Sequence, residues 1–415
     1  MRLIEPILTF ALLAAPGWTQ QDLERAPADP ESAWESVTPG ADGGGLVTTL
    51  NPTANDCRIA FAAMTAGTPP ASVPSPGELW AGPVASGAGY VAAVSRQRCD
   101  DDEGPVELVD VGADGQVLRR TPLPARGYAT PVELATGADG SLAIAWIDVT
   151  EARERLRVVV RGADGRLGRV VTLAARPDRD LSAPLIGAAL GPDGRVLVTW
   201  VQGRKVRAAI VGRDGHAGRI AVLGPALQGT GPAAALGADG RAVVAWVTGD
   251  HTVDELGERT RVYAATRTDG RFEPARLLDR VRTDTVFDEY TEPDTIPRVA
   301  VRADGTARVA WLIPSRHRSA VRAATARSGR GFGAGRTLAR GETTSVALSA
   351  DGTATAWAAD GGVFVQRGGK RVKLAQQRDA SIEEATVLPD GRTRVSWVTW
   401  HGKPGLVLHV ATGPA

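Results

Sequence analysis

Short apolar runs alternate with polar turns along most of the chain. In GADGRAVVAWV (237–247) an Asp-Gly turn leads into a strand that is apolar on both sides. Ala242, Val244 and Trp246 fall on one face of that strand, and Val243, Ala245 and Val247 on the other. A strand with no polar face needs protein above and below it. The phrase recurs as TGADGSLAIAWID (136–148), LGPDGRVLVTWVQ (190–202), LGADGRAVVAWVT (236–248), VRADGTARVAWLI (301–313), LSADGTATAWAAD (348–360) and VLPDGRTRVSWVT (387–399). A degenerate copy, ASGAGYVAAVSRQ (85–97), lacks both the Asp and the Trp. The turn glycines Gly89, Gly140, Gly194, Gly240, Gly305, Gly352 and Gly391 are spaced by roughly 50 residues, the period of a radial or stacked β array.

Each unit has one grammar. A strand enters the Asp-Gly turn, which suits a two-residue type I′ hairpin because glycine accepts positive φ and Asp tolerates it. The apolar strand follows, then a variable loop, a third strand such as LRVVVRG or VRAAIVG, a second turn, and a more polar fourth strand such as GRVVTLA. Four antiparallel strands with buried inner members describe a propeller blade. The predicted fold is all-β, a seven-bladed β-propeller of four-stranded antiparallel blades. Its blades lie near 78–125, 130–175, 183–225, 231–279, 296–340, 343–376 and 382–415. The last unit ends after its third strand, so an N-terminal strand must close the ring or leave an open edge. GLVTTL (45–50) and CRIAFAAM (57–64) are the candidates. The tryptophans Trp146, Trp200, Trp246, Trp311, Trp357 and Trp397 share one strand position among Val and Ala, so they read as core filling rather than as ligand-stacking rings.

The PDGR turn before a β-rich strand, in LGPDGRVLVTW and VLPDGRTRVSW, resembles the repeat of TolB-type bacterial propellers. The resemblance covers the first hairpin of each blade along residues 85–400. It implies a secreted or periplasmic binding propeller. The Asp-box of sialidase-like propellers and the Gly-His and Trp-Asp signature of WD40 repeats are absent.

Composition narrows the class further. The 415 residues carry a net charge of +1 and only 5% aromatic residues, so no basic field interleaved with aromatics offers itself to nucleic acid. Arginine outnumbers lysine 44 to 4, with the arginines spread along the chain, which reads as codon bias. Residues 1–20 read as an export leader and 21–44 as a Pro-, Glu- and Asp-rich linker before a propeller over 45–415. No segment holds 18 uninterrupted apolar residues, so no transmembrane helix is expected. The expected location is therefore secreted or periplasmic, and the expected state a monomer. Both cysteines, Cys57 and Cys99, lie in the N-terminal quarter. In an exported protein they read as one disulfide pinning the ring closure to the first blade.

Candidate chemistry gathers in the loops after the apolar strands and in one inter-blade insertion, all on the face opposite the Asp-Gly turns. Variable loops on a rigid scaffold are where binding is usually placed. The candidate binding residues are Asp250, His251, Arg316, His317, Asp288, Glu289, Tyr290, Trp400 and His401. Each also reads as a solvated loop residue. No cofactor and no metal site are expected, and Asp100, Asp101, Asp102 and Glu103 form the one run that could attract Ca²⁺. No G-x-S-x-G nucleophile elbow and no H-E-x-x-H zinc motif occurs. The glycines of GRGFGAG (329–335) fall at an outer turn, not between a strand and a helix. The leading expectation is a non-catalytic propeller that binds a protein or glycan. A carbohydrate-active hydrolase or lyase pairing acids such as Glu289 and Asp250, and a purely structural envelope protein, are the alternatives.

Overall fold

The computed structural model describes residues 16–25, 33–40, 44–53, 56–64, 75–76, 78–87, 89–95, 105–150, 153–176, 186–226, 231–248, 259–282, 296–313, 319–377, 379–400 and 406–414. They form eight antiparallel sheets of four strands each, the outer strand of one being split into Arg271–Phe272 and Arg276–Arg282. The first strand of every sheet packs against the first strand of the next, from Ala33–Pro39 round to Ser381–Val387 and back to Ala33–Pro39. These first strands therefore surround a common axis, and the molecule is a closed β-propeller with blades at 33–76, 78–122, 128–176, 186–225, 233–282, 298–341, 343–376 and 381–413.

The blade count corrects the expectation of seven. The additional blade is the first, built from Ala33–Pro39, Gly45–Thr53, Asp56–Met64 and Ser75–Pro76. Its first hairpin contains PGADGGG (39–45), a further copy of the repeated phrase placed 46 residues before Gly89. Gly40 N–H donates to Gly44 O at 2.8 Å, as the other copies do. The copy escapes notice because no tryptophan follows it; Thr49 stands at the matching position. The segments 45–50 and 57–64 are inner strands of this blade and cannot also close the ring. Closure falls instead to Thr19–Arg25, which pairs antiparallel with Leu406–Gly413 from Thr19 opposite Thr412 to Arg25 opposite Leu406. An N-terminal strand does complete the last blade, but it is one read as leader and linker.

That strand is polar, and Leu23 is its one buried apolar side chain among the described residues. A specific polar contact supports it. Asp22 faces His409, whose ring is buried, stacks on Trp397 with centroids 5.2 Å apart, and donates from Nδ1 to Asp22 Oδ1 at 2.7 Å. With the proton assigned to Nδ1, Nε2 is left to accept from Thr399 Oγ1 at 2.8 Å and Gln377 Nε2 at 3.1 Å. The bond from His409 holds the Asp22 carboxyl below its ordinary value.

The repeated turns differ from the predicted type. At Gly112 the glycine N–H donates to Gln116 O at 2.8 Å, and Gly115 N–H donates back to Gly112 O at 2.9 Å. This is a three-residue loop, a type I turn closed by a left-handed glycine, with Gly115 at φ +83° and Asp114 outside the positive-φ set. The aspartate keeps negative φ because its carboxylate is used locally: Asp114 Oδ1 accepts from Gln116 N–H at 3.0 Å. The same bond recurs at Asp139, Asp164, Asp193, Asp214, Asp239, Asp304, Asp351 and Asp390. Two-residue loops with both central residues at positive φ do occur, but at Gly203-Arg204, Asp269-Gly270, Asp360-Gly361 and Gly368-Gly369.

The core is eight apolar clusters, one for each gap between neighbouring blades. Six of the gaps are filled by the repeated tryptophans, each at most 1% exposed and each turned toward the preceding blade. Gly224 of the fourth blade makes room for this, since a Cβ there would lie 2.9 Å from the Trp246 indole. The indole N–H finds a different acceptor in each gap, such as Pro225 O at 2.8 Å for Trp246 and Asp279 Oδ2 at 3.1 Å for Trp311. Trp146 donates to Asp148 Oδ1 at 2.6 Å, and that fully buried carboxylate also pairs with Arg157 Nε at 2.6 Å.

Arginine has a fold-specific role that its even spread conceals. Arg161 reaches from the third blade to Asp110 of the second at 2.6 Å. Arg241 donates to Arg327 O in the next blade at 3.0 Å, and Arg367 to the turn carbonyl of Gly391 in the blade after its own. A planar guanidinium with five donors can bridge two blades where an ammonium offers one point of charge. The codon-bias reading therefore misses several blade-to-blade ties.

Trp357 differs from its five counterparts in that its buried Nε1 has no hydrogen-bond partner. Replacing it with Phe loses ring volume but no bond, whereas Trp146→Phe also removes a donor from the buried Asp148 carboxylate. Trp146→Phe is expected to cost about 1–3 kcal/mol more than Trp357→Phe in urea unfolding. Equal costs would mean that the indole bond to Asp148 contributes nothing.

Candidate functional site

Nearly all of the sequence-predicted site residues lie outside the described residues. This holds for Asp250, His251, Asp288, Glu289, Tyr290, Arg316, His317 and His401, for the run Asp100, Asp101, Asp102 and Glu103, and for Cys99. Trp400 is described only by its backbone, which ends the strand Thr393–Trp400 opposite Leu406, and Cys57 by its backbone opposite Pro52. Among the described residues no three of His, Cys, Asp and Glu gather as a metal site would require.

The strands do fix where those connections begin and end. Each blade runs up, down, up and down from the axis outward. The described strand ends at Ser95 and Val106, Thr248 and Arg259, Ile313 and Ser319, and Trp400 and Leu406 all leave on one face, opposite the Asp-Gly turns. Arg282, where the longest inter-blade connection starts, leaves on that same face. The two faces are chemically unlike. Most turns of the turn face repeat one self-satisfied hairpin, while the connections on the other face differ in length and charge from blade to blade.

Between the faces runs the axial wall made by the first strands. Among the described residues it holds one strongly perturbed group. Glu133 sits on Tyr128–Thr136 between Val132 and Leu134, which are buried against the second blade, so alternation turns Glu133 to the other side of the strand. Burial pushes its carboxyl up to about 7, against an opposing pull from Arg298 on the first strand of the sixth blade. Arg298 also donates through Nε to Val346 O at 3.4 Å. Farther round, Glu384 on the first strand of the last blade pairs with Arg394 at 3.5 Å. A carboxyl that titrates near neutrality in a partly enclosed wall is a candidate for proton transfer or for ligand binding. In the sequence, VELAT gave no sign of this, because Glu133 sits where an ordinary alternating strand places a solvated residue.

No protein-family model matches the chain, and no curated protein matches it. Among solved structures, the Dos1 propeller is similar over 95% of both chains, at 11% identity and a TM-score of 0.51. A catalytically inactive virginiamycin B lyase from Staphylococcus aureus, crystallised with quinupristin, shares 12% identity over 94% of this chain and 99% of its own, with a TM-score of 0.44. TolB from Acinetobacter baumannii shares 13% over 90% and 84%, with a TM-score of 0.35. The Dos1 likeness agrees with the β-propeller fold. At these identities the likeness reaches no further than the fold, and propellers host unrelated functions.

The Glu133 environment has a measurable signature. Its ordinary value is 4.5 and its folded value about 7. Between these the folded protein holds a proton that the unfolded chain has released, so this group's contribution to stability falls as pH rises from about 4.5 to 7 and is flat above. Glu133→Gln is expected to match the parent protein at pH 4 and to exceed its stability at pH 8 by up to about 3 kcal/mol. A difference that does not change between pH 4 and pH 8 would show that Glu133 is not desolvated.

Proposed function

We propose that the chain is an exported, non-catalytic binding propeller that holds a protein or a glycan on the face opposite its Asp-Gly turns. The observation that carries this reading is the contrast between the two faces. On the turn face the repeated hairpins spend their aspartates on their own backbone N–H groups. On the other face, rigid strand ends present connections of unequal length that bear Asp250, His251, Asp288, Glu289, Tyr290, Arg316, His317 and His401. A scaffold whose blade interfaces are filled by fully buried indoles positions such connections without itself adapting. No helix among the described residues is long and apolar enough to cross a membrane, which is compatible with an exported protein. The Cys57–Cys99 bond belongs to the same proposal.

Glu133 favours a second reading, a hydrolase or lyase acting on carbohydrate. A carboxyl raised to about 7 is poised to give or take a proton at neutral pH.

A glycan array and a panel of glycosidase and lyase substrates separate the two. Binding without turnover, lost on deleting residues 283–295 while the urea midpoint stays unchanged, is the expected result. Turnover abolished by Glu133→Gln would establish the enzyme instead.

A further inference from the structure

The turn face is not uniform throughout. Between the sixth, seventh and eighth blades it opens into a cleft of about 720 Å³, within the size range of small-ligand sites. Among the described residues Arg302, Arg308, Arg367, Lys370 and Trp18 line it and no carboxylate does. Four cationic side chains thus share one cleft in a chain whose net charge is only +1.

Arg308 is the informative member. It lies on Ala307–Ile313 opposite Thr325, under the turn of the seventh blade. Gly352 shapes that turn through its φ of +66°, and a Cβ there would sit tightly against Ala300 Cβ at 3.3 Å. Arg308 makes one long bond, from Nη1 to Gly352 O at 3.4 Å, while its buried Nε has no partner. No carboxylate offsets its burial, which disfavours its charged form. A desolvated guanidinium without a counter-charge is costly unless something supplies one. Arg367 is held by backbone and hydroxyl oxygens only, Gly391 O and Thr393 Oγ1 at 3.0 Å, and Lys370 stands beside it without a carboxylate. The nearby acids are already engaged. Asp304 accepts from Thr306 N–H at 2.8 Å and faces Arg302 at 3.8 Å, and Asp351 accepts from Ser349 Oγ at 2.6 Å and from Thr353 N–H at 3.0 Å.

We propose that this cleft binds an oxyanion, the sulfate or phosphate group of a small ester ligand, with Arg308 and Arg367 as its inner donors and Arg302 and Lys370 closing over it. Forked guanidinium donors suit the tetrahedral oxygens of either group. The site lies on the opposite face from the proposed protein or glycan surface and stands independently of it.

The full chain is titrated calorimetrically with inorganic sulfate, inorganic phosphate, glucose 6-sulfate and glucose 6-phosphate, all at constant ionic strength in sodium chloride. Saturable one-to-one binding of at least one probe is expected, and the preferred ester names the source of the anion. The double variant Arg302→Gln, Lys370→Gln is expected to weaken it at least tenfold with an unchanged unfolding midpoint. Arg213→Gln, an exposed turn-face arginine outside the cleft, is expected to leave it unchanged. Arg308→Lys tests the inner donor, and the surface variants keep the experiment decisive should that variant not fold. Absence of saturable binding by all four probes, or equal affinity in the double variant, overturns the proposal.

Discussion

Everything in this molecule depends on each blade burying both of its faces against its neighbours. An isolated four-stranded sheet with Ala, Val and Trp on both sides would expose a continuous apolar surface on each face. Only a ring gives every such face a partner, and only a closed ring leaves no blade half covered. The eight clusters, one per gap, are the direct expression of this constraint. It also explains the tryptophans. Blades diverge outward from an axis, and a large flat side chain at a constant position fills the widening gap. The polar cost of burying an indole N–H is met by whatever acceptor the local chain offers: a backbone carbonyl at Pro225, a buried aspartate at Asp148 or Asp279.

Closure is the weak point of such a design, and the chain handles it with chemistry rather than bulk. Seven blades are continuous in sequence, but the eighth borrows Thr19–Arg25 from the far end of the chain. That strand offers little apolar burial. Its hold comes from a full antiparallel ladder and from Asp22 on the buried His409, which is itself clamped by Trp397, Thr399 and Gln377. Charge-assisted bonds of this kind are stronger than neutral ones, particularly where one partner is shielded from water. Arginine ties between adjacent turns add the same logic around the rim.

Much of the architecture was legible in the residues. The repeated Asp-Gly phrase, the doubly apolar strands and the near-constant period define a propeller of four-stranded antiparallel blades. The first blade hid because PGADGGG lacks the tryptophan that marks the other hairpins. The closing strand hid because TQQDLER has no alternation to detect: its place is set by a free strand edge at the other end of the chain. The turn type was misread because Asp-Gly is shared by two loop classes, and the aspartate's local hydrogen bond selects the longer one. Glu133 and Arg308 were invisible for a related reason. VELAT and ARVAW look like ordinary strands, and only the assembly of the ring partly shields those two charged groups from water. Of the predicted binding residues the described structure brings none together, because they sit on connections whose ends it fixes and whose interiors it does not describe.

The central claim is that the N-terminal strand is a structural member of the last blade. Native-state hydrogen exchange read by mass spectrometry on the full chain tests it most directly. Amides of Thr19–Arg25 are expected to be protected and to open together with those amides of Leu406–Gly413 that face them, since each ladder bond requires both strands. Rapid exchange of Thr19–Arg25 while Leu406–Gly413 stays protected would contradict it, and the ring would then be closed in some other way.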